Sequence, residues 1–153
     1  MIRNDVCTVN LGQCKHPDLK CRDCDDFKNE QITCPFCKMD KGSIVAGVGT
    51  CYAIFDKYPV NKGHMLIIPF RHRATFFDLT DQELEHTLIL LDGCKKILDE
   101  KYAPDGYNVG FNVGEAAGQT VMHCHCHLIP RYKGDVPEPR GGIRGVIPSK
   151  RDY

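Results

Sequence analysis

Three histidines alternate with other residues in the segment 121–130 (VMHCHCHLIP) and are the strongest chemical signal in the sequence. Successive side chains of an extended strand point to opposite faces. The spacing therefore places on one face His123, His125 and His127, and on the other Cys124, Cys126 and Leu128. Burying three ionisable rings without partners is costly, so a metal ion or a substrate must use their ring nitrogens. The pattern alone fits a zinc site and phosphate chemistry equally well.

The loop before this strand favours phosphate chemistry. Residues 114–120 (GEAAGQT) contain two glycines that can bring backbone amides and the Thr120 hydroxyl close to an anion. No carboxylate lies in residues 121–130 to complete a hydrolytic metal site.

Cysteine is frequent, with 10 among 153 residues, and four of these form C-x-x-C pairs. Cys34 and Cys37 by themselves fit a redox pair or a metal site. With Cys21 and Cys24 they give the spacing C-x2-C-x9-C-x2-C, which is typical of a zinc ribbon or a rubredoxin knuckle. Because the sequence shows no signal-peptide pattern, we expect a reducing compartment with thiols or metal ligands rather than disulfides.

Length and charge narrow the class of protein. A chain of 153 residues with 42% apolar and 26% charged content fits one globular domain with a sizeable core. Lys plus Arg equals Asp plus Glu at 20 each, which argues against a general polyanion binder. No apolar run approaches the roughly 20 residues of a membrane span. We therefore predict a cytoplasmic protein that binds neither nucleic acid nor a membrane.

Periodicity predicts the elements that position these side chains. Strands are predicted at residues 50–56, 64–69, 107–113 and 121–130. Thr80 and Glu83 form a capping box, which begins a helix that runs to about Lys101. The apolar stripe of this helix is expected to contain Leu84, Leu88, Leu91 and Leu98, with Cys94 alongside. Residues 1–33 lack periodicity and are predicted as a cysteine-rich extension of a domain at 34–153, whose residues 135–153 form an ordered tail or loop.

The segment 118–131 (GQTVMHCHCHLIPR) resembles the histidine triad family of nucleotide hydrolases and transferases, whose histidines alternate with apolar residues. The resemblance covers residues 34–153. It includes Phe55-Asp56, the Gly63-His64 pair before an apolar strand ending at Pro69, the capped helix, Asn112 and the Gly-Gln-Thr loop. It implies an α+β fold, with an antiparallel sheet of about five strands, one long helix and one short one. It also implies a homodimer.

The same resemblance implies an enzyme. The middle histidine, His125, would attack the α-phosphorus of a nucleotide and form a nucleotidyl-imidazole. His127 and His64 would donate to phosphoryl oxygens or to the leaving group. Asp56 would bind the ribose, and the phosphates or the leaving group would contact Asn112, Gln119 and Thr120. No catalytic metal is expected.

A structural zinc is also implied, because prokaryotic members of the family bind it with a set that corresponds to Cys34, Cys37, His72 and His123. Two thiolates and two imidazoles make a closed tetrahedral site. The ribbon-like pairing with Cys21 and Cys24 remains the alternative from spacing. Under the family pairing, a second zinc could be held by Cys7, Cys14, Cys21 and Cys24, with His16 as a substitute ligand, or the segment is a tail with free thiols.

We expect hydrolysis or phosphorolysis of dinucleoside polyphosphates such as diadenosine tetraphosphate, with adenine nucleotides as partners. The alternative within the family is a nucleoside phosphoramidase. The alternative from another class is a non-catalytic, zinc-stabilised nucleotide-binding module. A zinc-ribbon nucleic-acid binder is disfavoured because residues 1–33 are not basic. Two departures stand out: Asn112 where the fragile-histidine-triad branch has glutamine, and no tryptophan, which the phosphoramidase branch carries near its carboxyl end.

Overall fold

One antiparallel sheet and one long helix organise residues 33–152, the part of the chain described by the computed structural model. The strands are β1 (Ala46–Val48), β2 (Cys51–Phe55), β3 (Met65–Pro69), β4 (Gly106–Phe111) and β5 (Cys126–Arg131), and the helix α1 is Asp81–Tyr102. The five strands lie in the order β1-β2-β3-β5-β4, and every neighbouring pair is antiparallel. The predicted α+β fold with a five-stranded antiparallel sheet is confirmed.

Helix α1 begins where the capping box predicts. The Thr80 hydroxyl accepts from the Glu83 amide at 3.2 Å, and the Thr80 amide donates to the Glu83 carboxylate at 2.8 Å. The helix ends at Ala103, whose left-handed φ of 46° stops the helical hydrogen bonding. Among residues 33–152, no helix combines the length and apolarity that a bilayer crossing requires.

The buried face of α1 differs from the predicted stripe. It contains Glu83, Thr87, Leu90, Cys94 and Leu98, whereas Leu88 is 68% exposed. Polar residues occupy this face because their groups are satisfied there: Arg71 holds the Glu83 carboxylate at 2.6 Å, and the Thr87 hydroxyl donates to the Glu83 carbonyl at 2.8 Å. The prediction was right for Cys94 and Leu98, partly right for Leu91, which packs half-buried against the core, and wrong for Leu88.

The two faces of the sheet have different neighbours. One face packs on α1 through a core of buried residues from the strands, namely Cys51, Ala53, Met65, Ile67, Cys126 and Leu128. The other face carries Leu66 and Ile68 and is covered by the segment from Phe36 to Ile44. His127 lies opposite Leu66 in the β3–β5 register, so its side chain is on this second face, away from the helix.

Strand β5 is shorter than predicted, since the segment 121–130 enters the sheet only at Cys126. The residues before it bond elsewhere: the His123 amide donates to the Val121 carbonyl at 2.8 Å, and the Cys124 amide donates to the Arg73 carbonyl. Strand β1 was not predicted, because three residues are too few to show a period. The predicted extension, with Cys7, Cys14, Cys21 and Cys24, lies outside the described residues, as does the amino-terminal part to which the predicted short helix was assigned.

Candidate active site and metal cluster

His125 is held in the orientation that a nucleophile requires. Its Nδ1 donates to the main-chain carbonyl of His123 at 2.7 Å, which leaves the Nε2 lone pair available. The side chain is 8% exposed. The ring of Phe36 packs edge-on against it, with 5.2 Å between ring centroids.

His64 and His127 form a hydrogen-bonded pair beside His125. Because the Val60 amide can only donate, its contact of 3.4 Å makes Nδ1 of His64 an acceptor and leaves the His64 proton on Nε2. That Nε2 lies 3.0 Å from Nδ1 of His127 and donates to it. The His127 proton is then on Nε2, a buried atom without a hydrogen-bond partner among the described residues. This N–H is therefore an unsatisfied buried donor, which an acceptor oxygen would stabilise.

Both imidazoles are neutral near neutral pH. Burial lowers the pKa of His64, and the neighbouring Asp56 carboxylate offsets only part of this effect. Burial, together with the closeness of two other imidazoles, His125 and His64, lowers the pKa of His127 to about 4. In the neutral pair the His64 N–H is used by Nδ1 of His127, so only the Nε2–H of His127 remains to donate to a phosphoryl oxygen.

Asp56 follows β2 and faces this pair. Its Oδ1 accepts from the Tyr58 amide at 2.8 Å, and its Oδ2 lies 3.4 Å from Nδ1 of His64. The Asp56 side chain is 15% exposed, so its carboxylate can contact a ligand. The structure thus brings together three of the predicted site residues, Asp56, His64 and His127.

The Gln119 side chain forms hydrogen bonds with main-chain groups. The side chain is 3% exposed, and its Oε1 accepts from the Gly114 amide at 2.8 Å. Its Nε2 donates to the carbonyls of Ala74 and Val121, at 2.6 and 3.1 Å. All of its strong hydrogen-bonding groups therefore anchor the 114–120 loop, and the side chain acts on a ligand through the position of that loop.

Asn112 and Thr120 lie at the borders of the same loop. Asn112 is partly exposed, and its Nδ2 lies 4.0 Å from the position of a Cβ at Gly118. Thr120 is exposed and lines a cleft of about 250 Å³ with Cys34, His72 and Met122. Both side chains are accessible to a ligand.

The four predicted metal ligands lie close together in one cluster. One ligand atom each of Cys34, Cys37, His72 and His123 lies within 4.8 Å of the others. The Cys37 sulfur is 3.2 Å from Nδ1 of His72, and the two sulfurs are 3.4 and 3.5 Å from Nδ1 of His123. Cys34 and Cys37 thus pair with the two histidines, as the family pattern implies, while Cys21 and Cys24 lie outside the described residues.

The donor atoms of this cluster fit a metal ion. Nε2 of His123 donates to the Pro69 carbonyl at 2.9 Å, so Nδ1 directs its lone pair at the thiols. The Cys34 sulfur faces this nitrogen at 3.4 Å, and a metal ion binds the deprotonated form of such a thiol. A thiolate and an oriented imidazole nitrogen are the donors that zinc prefers.

Phe36 is a site residue that the sequence reasoning missed. Its ring contacts both His123, at 5.8 Å between centroids, and His125. Its position between the two cluster cysteines was the available signal, because a loop closed on a metal brings its middle residues close to the other ligands.

Comparison with known proteins identifies the arrangement. A model of the HIT domain matches residues 40–134. The chain is 42% identical over 108 residues to an uncharacterised HIT-like protein of Methanocaldococcus jannaschii, which covers 67% of this chain and 81% of that protein. It is 34% identical over 97 residues to the AP-4-A phosphorylase of Mycobacterium tuberculosis, covering 63% of this chain but only 50% of that relative. An adenosine 5'-monophosphoramidase of Schizosaccharomyces pombe is 36% identical over 104 residues, covering 65% of this chain and 75% of the relative.

Solved structures give the same result. A HIT family protein from Bacillus anthracis superposes with a TM-score of 0.63 at 37% identity, covering 67% of this chain and 76% of that one. A Zn-bound histidine triad family protein from Mycobacterium smegmatis has a TM-score of 0.63 at 28% identity, covering 71% and 81% of the two chains. With its three alternating histidines and a family match that spans residues 40–134, the chain belongs to the histidine triad (HIT) family.

Proposed function

We propose that the protein is a nucleotide hydrolase or transferase that acts at the α-phosphate through a nucleotidyl-His125 intermediate. The observation that supports this most directly is the 2.7 Å bond from Nδ1 of His125 to the His123 carbonyl. An imidazole nucleophile must be neutral with one nitrogen free, and this bond leaves Nε2 free.

The reaction balances without a metal ion or an added acid. Nε2 of His125 forms a bond to the α-phosphorus, and the bond from phosphorus to the bridging oxygen breaks. The polyphosphate leaves with the electron pair as an anion, and the Nε2–H of His127 stabilises charge on the phosphoryl oxygens. Water then attacks the phosphorus, breaks its bond to Nε2, loses a proton to solvent and yields the mononucleotide.

Dinucleoside polyphosphates such as diadenosine tetraphosphate are the substrates we favour. The leaving group of such a substrate ends in a phosphate, which departs as an anion and needs no proton. This suits His127, because burial lowers its pKa to about 4 and the ring carries no excess proton to give. The relative from Mycobacterium tuberculosis carries the name AP-4-A phosphorylase. In this assignment Asp56 binds the ribose diol, while Asn112 and Thr120 contact phosphate and Gln119 holds their loop.

A nucleoside phosphoramidase is the second candidate, supported by the 36% identity to the Schizosaccharomyces pombe phosphoramidase. An amine leaving group must be protonated as the phosphorus–nitrogen bond breaks. A buried His127 with a low pKa is a weak source of that proton, so we rank this activity second.

A substrate panel read by its products tests the proposal. From diadenosine tetraphosphate, hydrolysis at the α-phosphate releases AMP and ATP, and phosphorolysis releases ADP and ATP. We expect one of these pairs, a nucleotidyl adduct by intact mass, and loss of both in His125→Ala with the fold retained. Tight nucleotide binding without any turnover would instead indicate a non-catalytic binding module.

We also propose that the Cys34, Cys37, His72 and His123 cluster holds a structural zinc ion. The support is the donor set and the Zn-bound relative from Mycobacterium smegmatis. Such thiolates persist in a reducing compartment, which favours the cytoplasm. Elemental analysis of the purified protein measures the zinc, and a molar ratio well below one ion per chain contradicts the assignment.

A homodimer is the assembly we propose. Leu88 and Ile89 are 68% and 49% exposed on α1, and they offer apolar surface for a second copy. Light scattering measures the mass, and Leu88→Asp is expected to shift it toward the monomer. A monomeric wild-type protein at micromolar concentration contradicts this proposal.

A further inference from the structure

His123 contacts two parts of the site at once. Its ring belongs to the metal cluster, and its main-chain carbonyl accepts the hydrogen bond from Nδ1 of His125. We propose that the metal centre positions the nucleophile, with His123 and Phe36 as the positioning residues that connect the cluster to His125. The kinetic part of this inference rests on the proposed function, whereas the structural part does not.

The carbonyl of His123 is outside the sheet, so the sheet ladder does not hold it. Strand β5 starts at Cys126, and the peptide group between His123 and Cys124 is oriented by other bonds. On one side the Cys124 amide donates to the carbonyl of Arg73, the residue that follows the ligand His72. On the other side the His123 ring, 1% exposed, is fixed at both nitrogens, by the Pro69 carbonyl and by the thiols.

Phe36 supplies a second connection. It lies within the loop between Cys34 and Cys37, and its ring is 5.8 Å from the His123 ring and 5.2 Å from the His125 ring, centroid to centroid. Its carbonyl accepts from the Tyr52 hydroxyl at 3.1 Å, which ties the loop to β2. A metal ion bound by the two cysteines would hold the loop, and with it the packing of the Phe36 ring against His125.

Metal loss should therefore change the tautomer of His125 before it unfolds the protein. The main core between the sheet and α1 contains none of the cluster residues, so the fold has an independent source of stability. Without the metal, the His123 ring keeps only its bond to the Pro69 carbonyl, and its own carbonyl gains freedom to turn away from Nδ1 of His125. The proton of His125 can then move to Nε2, where it blocks attack on phosphorus.

The test compares Cys37→Ser with Cys94→Ala. Cys37 is an exposed ligand, and Cys94 is a buried cysteine of the main core, so the control loses stability without touching the cluster. Both proteins and the wild type are labelled with 15N-histidine. Bound zinc is measured by elemental mass spectrometry, folding by circular dichroism, and the His125 tautomer by its ring 15N shifts, assigned with His125→Gln.

We expect the wild type and Cys94→Ala to keep zinc and a single tautomer with the proton on Nδ1. We expect Cys37→Ser to lose most of its zinc, remain folded and show a mixture of tautomers. If Cys37→Ser does not fold, wild-type protein treated with a chelator gives the same comparison. A folded, zinc-depleted protein that keeps the single Nδ1–H tautomer would overturn the inference.

Turnover provides a separate readout. Zinc depletion should lower kcat roughly 10–100-fold, as loss of a supporting partner around a metal ligand does, while KM changes little. If zinc-loaded wild type turns over no nucleotide at all, the proposed function fails. The tautomer measurement still decides whether the metal centre positions His125.

Discussion

Replacing Gln119 distinguishes two roles for its side chain, a direct ligand of substrate and an anchor of the loop that contacts substrate. The amide is 3% exposed and makes three bonds to backbone groups, those of Gly114, Ala74 and Val121. At about 1 kcal/mol of net stability each, they contribute about 3 kcal/mol. That is a large part of the roughly 5–15 kcal/mol that typically separates folded from unfolded domains.

We expect Gln119→Ala to lower the free energy of unfolding by about 3 kcal/mol, measured by urea denaturation. We also expect it to lower kcat, because the 114–120 loop and the segment leading to His123 lose a shared anchor. Gln119→Glu keeps an acceptor for Gly114 but lacks the donors for Ala74 and Val121, so it should lose most of the same stability.

The neighbouring exposed Thr120 provides the matched control, and Thr120→Ala should change stability by less than about 0.5 kcal/mol. If Gln119→Ala left the unfolding free energy unchanged within that range and only raised KM, the anchoring role would be refuted and direct substrate binding favoured.

Three other changes test the parts of the fold around the site. Glu83→Ala should lower the free energy of unfolding, measured by chemical denaturation, by about 2–3 kcal/mol. This is less than for a fully buried ion pair, because the Arg71 side chain is 33% exposed. A loss below about 1 kcal/mol would contradict this. Acidification from about pH 6.5 to pH 4 should destabilise the protein, because the unfolded chain binds a proton at His127 in this range while burial keeps the folded pKa at about 4. His127→Gln should flatten the dependence of unfolding free energy on pH, and an unchanged slope would count against it. Gly63→Ala should lower Tm, since its φ of +87° is unfavourable for alanine and a Cβ would come within 2.9 Å of Tyr102; an unaltered Tm would show that this turn relaxes without cost.

Local signals in the sequence were sufficient for the start of helix α1. The capping box needs only Thr80 and Glu83, three residues apart, and both reciprocal bonds are present. The central strand β3 was also accessible, because a run of apolar residues ending at Pro69 is buried along its whole length. These predictions depend on neighbouring residues and not on the tertiary structure.

The buried face of α1 required information from outside the helix. Leucine spacing alone placed Leu88 in the core, and the structure puts Glu83 and Thr87 there instead. Glu83 is stable in the interior because Arg71, from the loop before the helix, pairs with its carboxylate, which also accepts from the Thr80 amide. Since Arg71 lies outside the helix, helical periodicity could not show that Glu83 faces the sheet.

The alternation of histidines predicted a common face but not the division of tasks among them. Side-chain alternation follows from an extended backbone whether or not it is paired in a sheet. A carbonyl that lies before the ladder begins has no sheet amide as its partner, so it is available to accept from a side chain such as Nδ1 of His125. The start of β5 at Cys126 leaves the His123 carbonyl available, and it accepts this bond at 2.7 Å. Because β5 starts only at Cys126, His123 is free to do two things. Its ring joins the metal cluster, and its carbonyl orients His125.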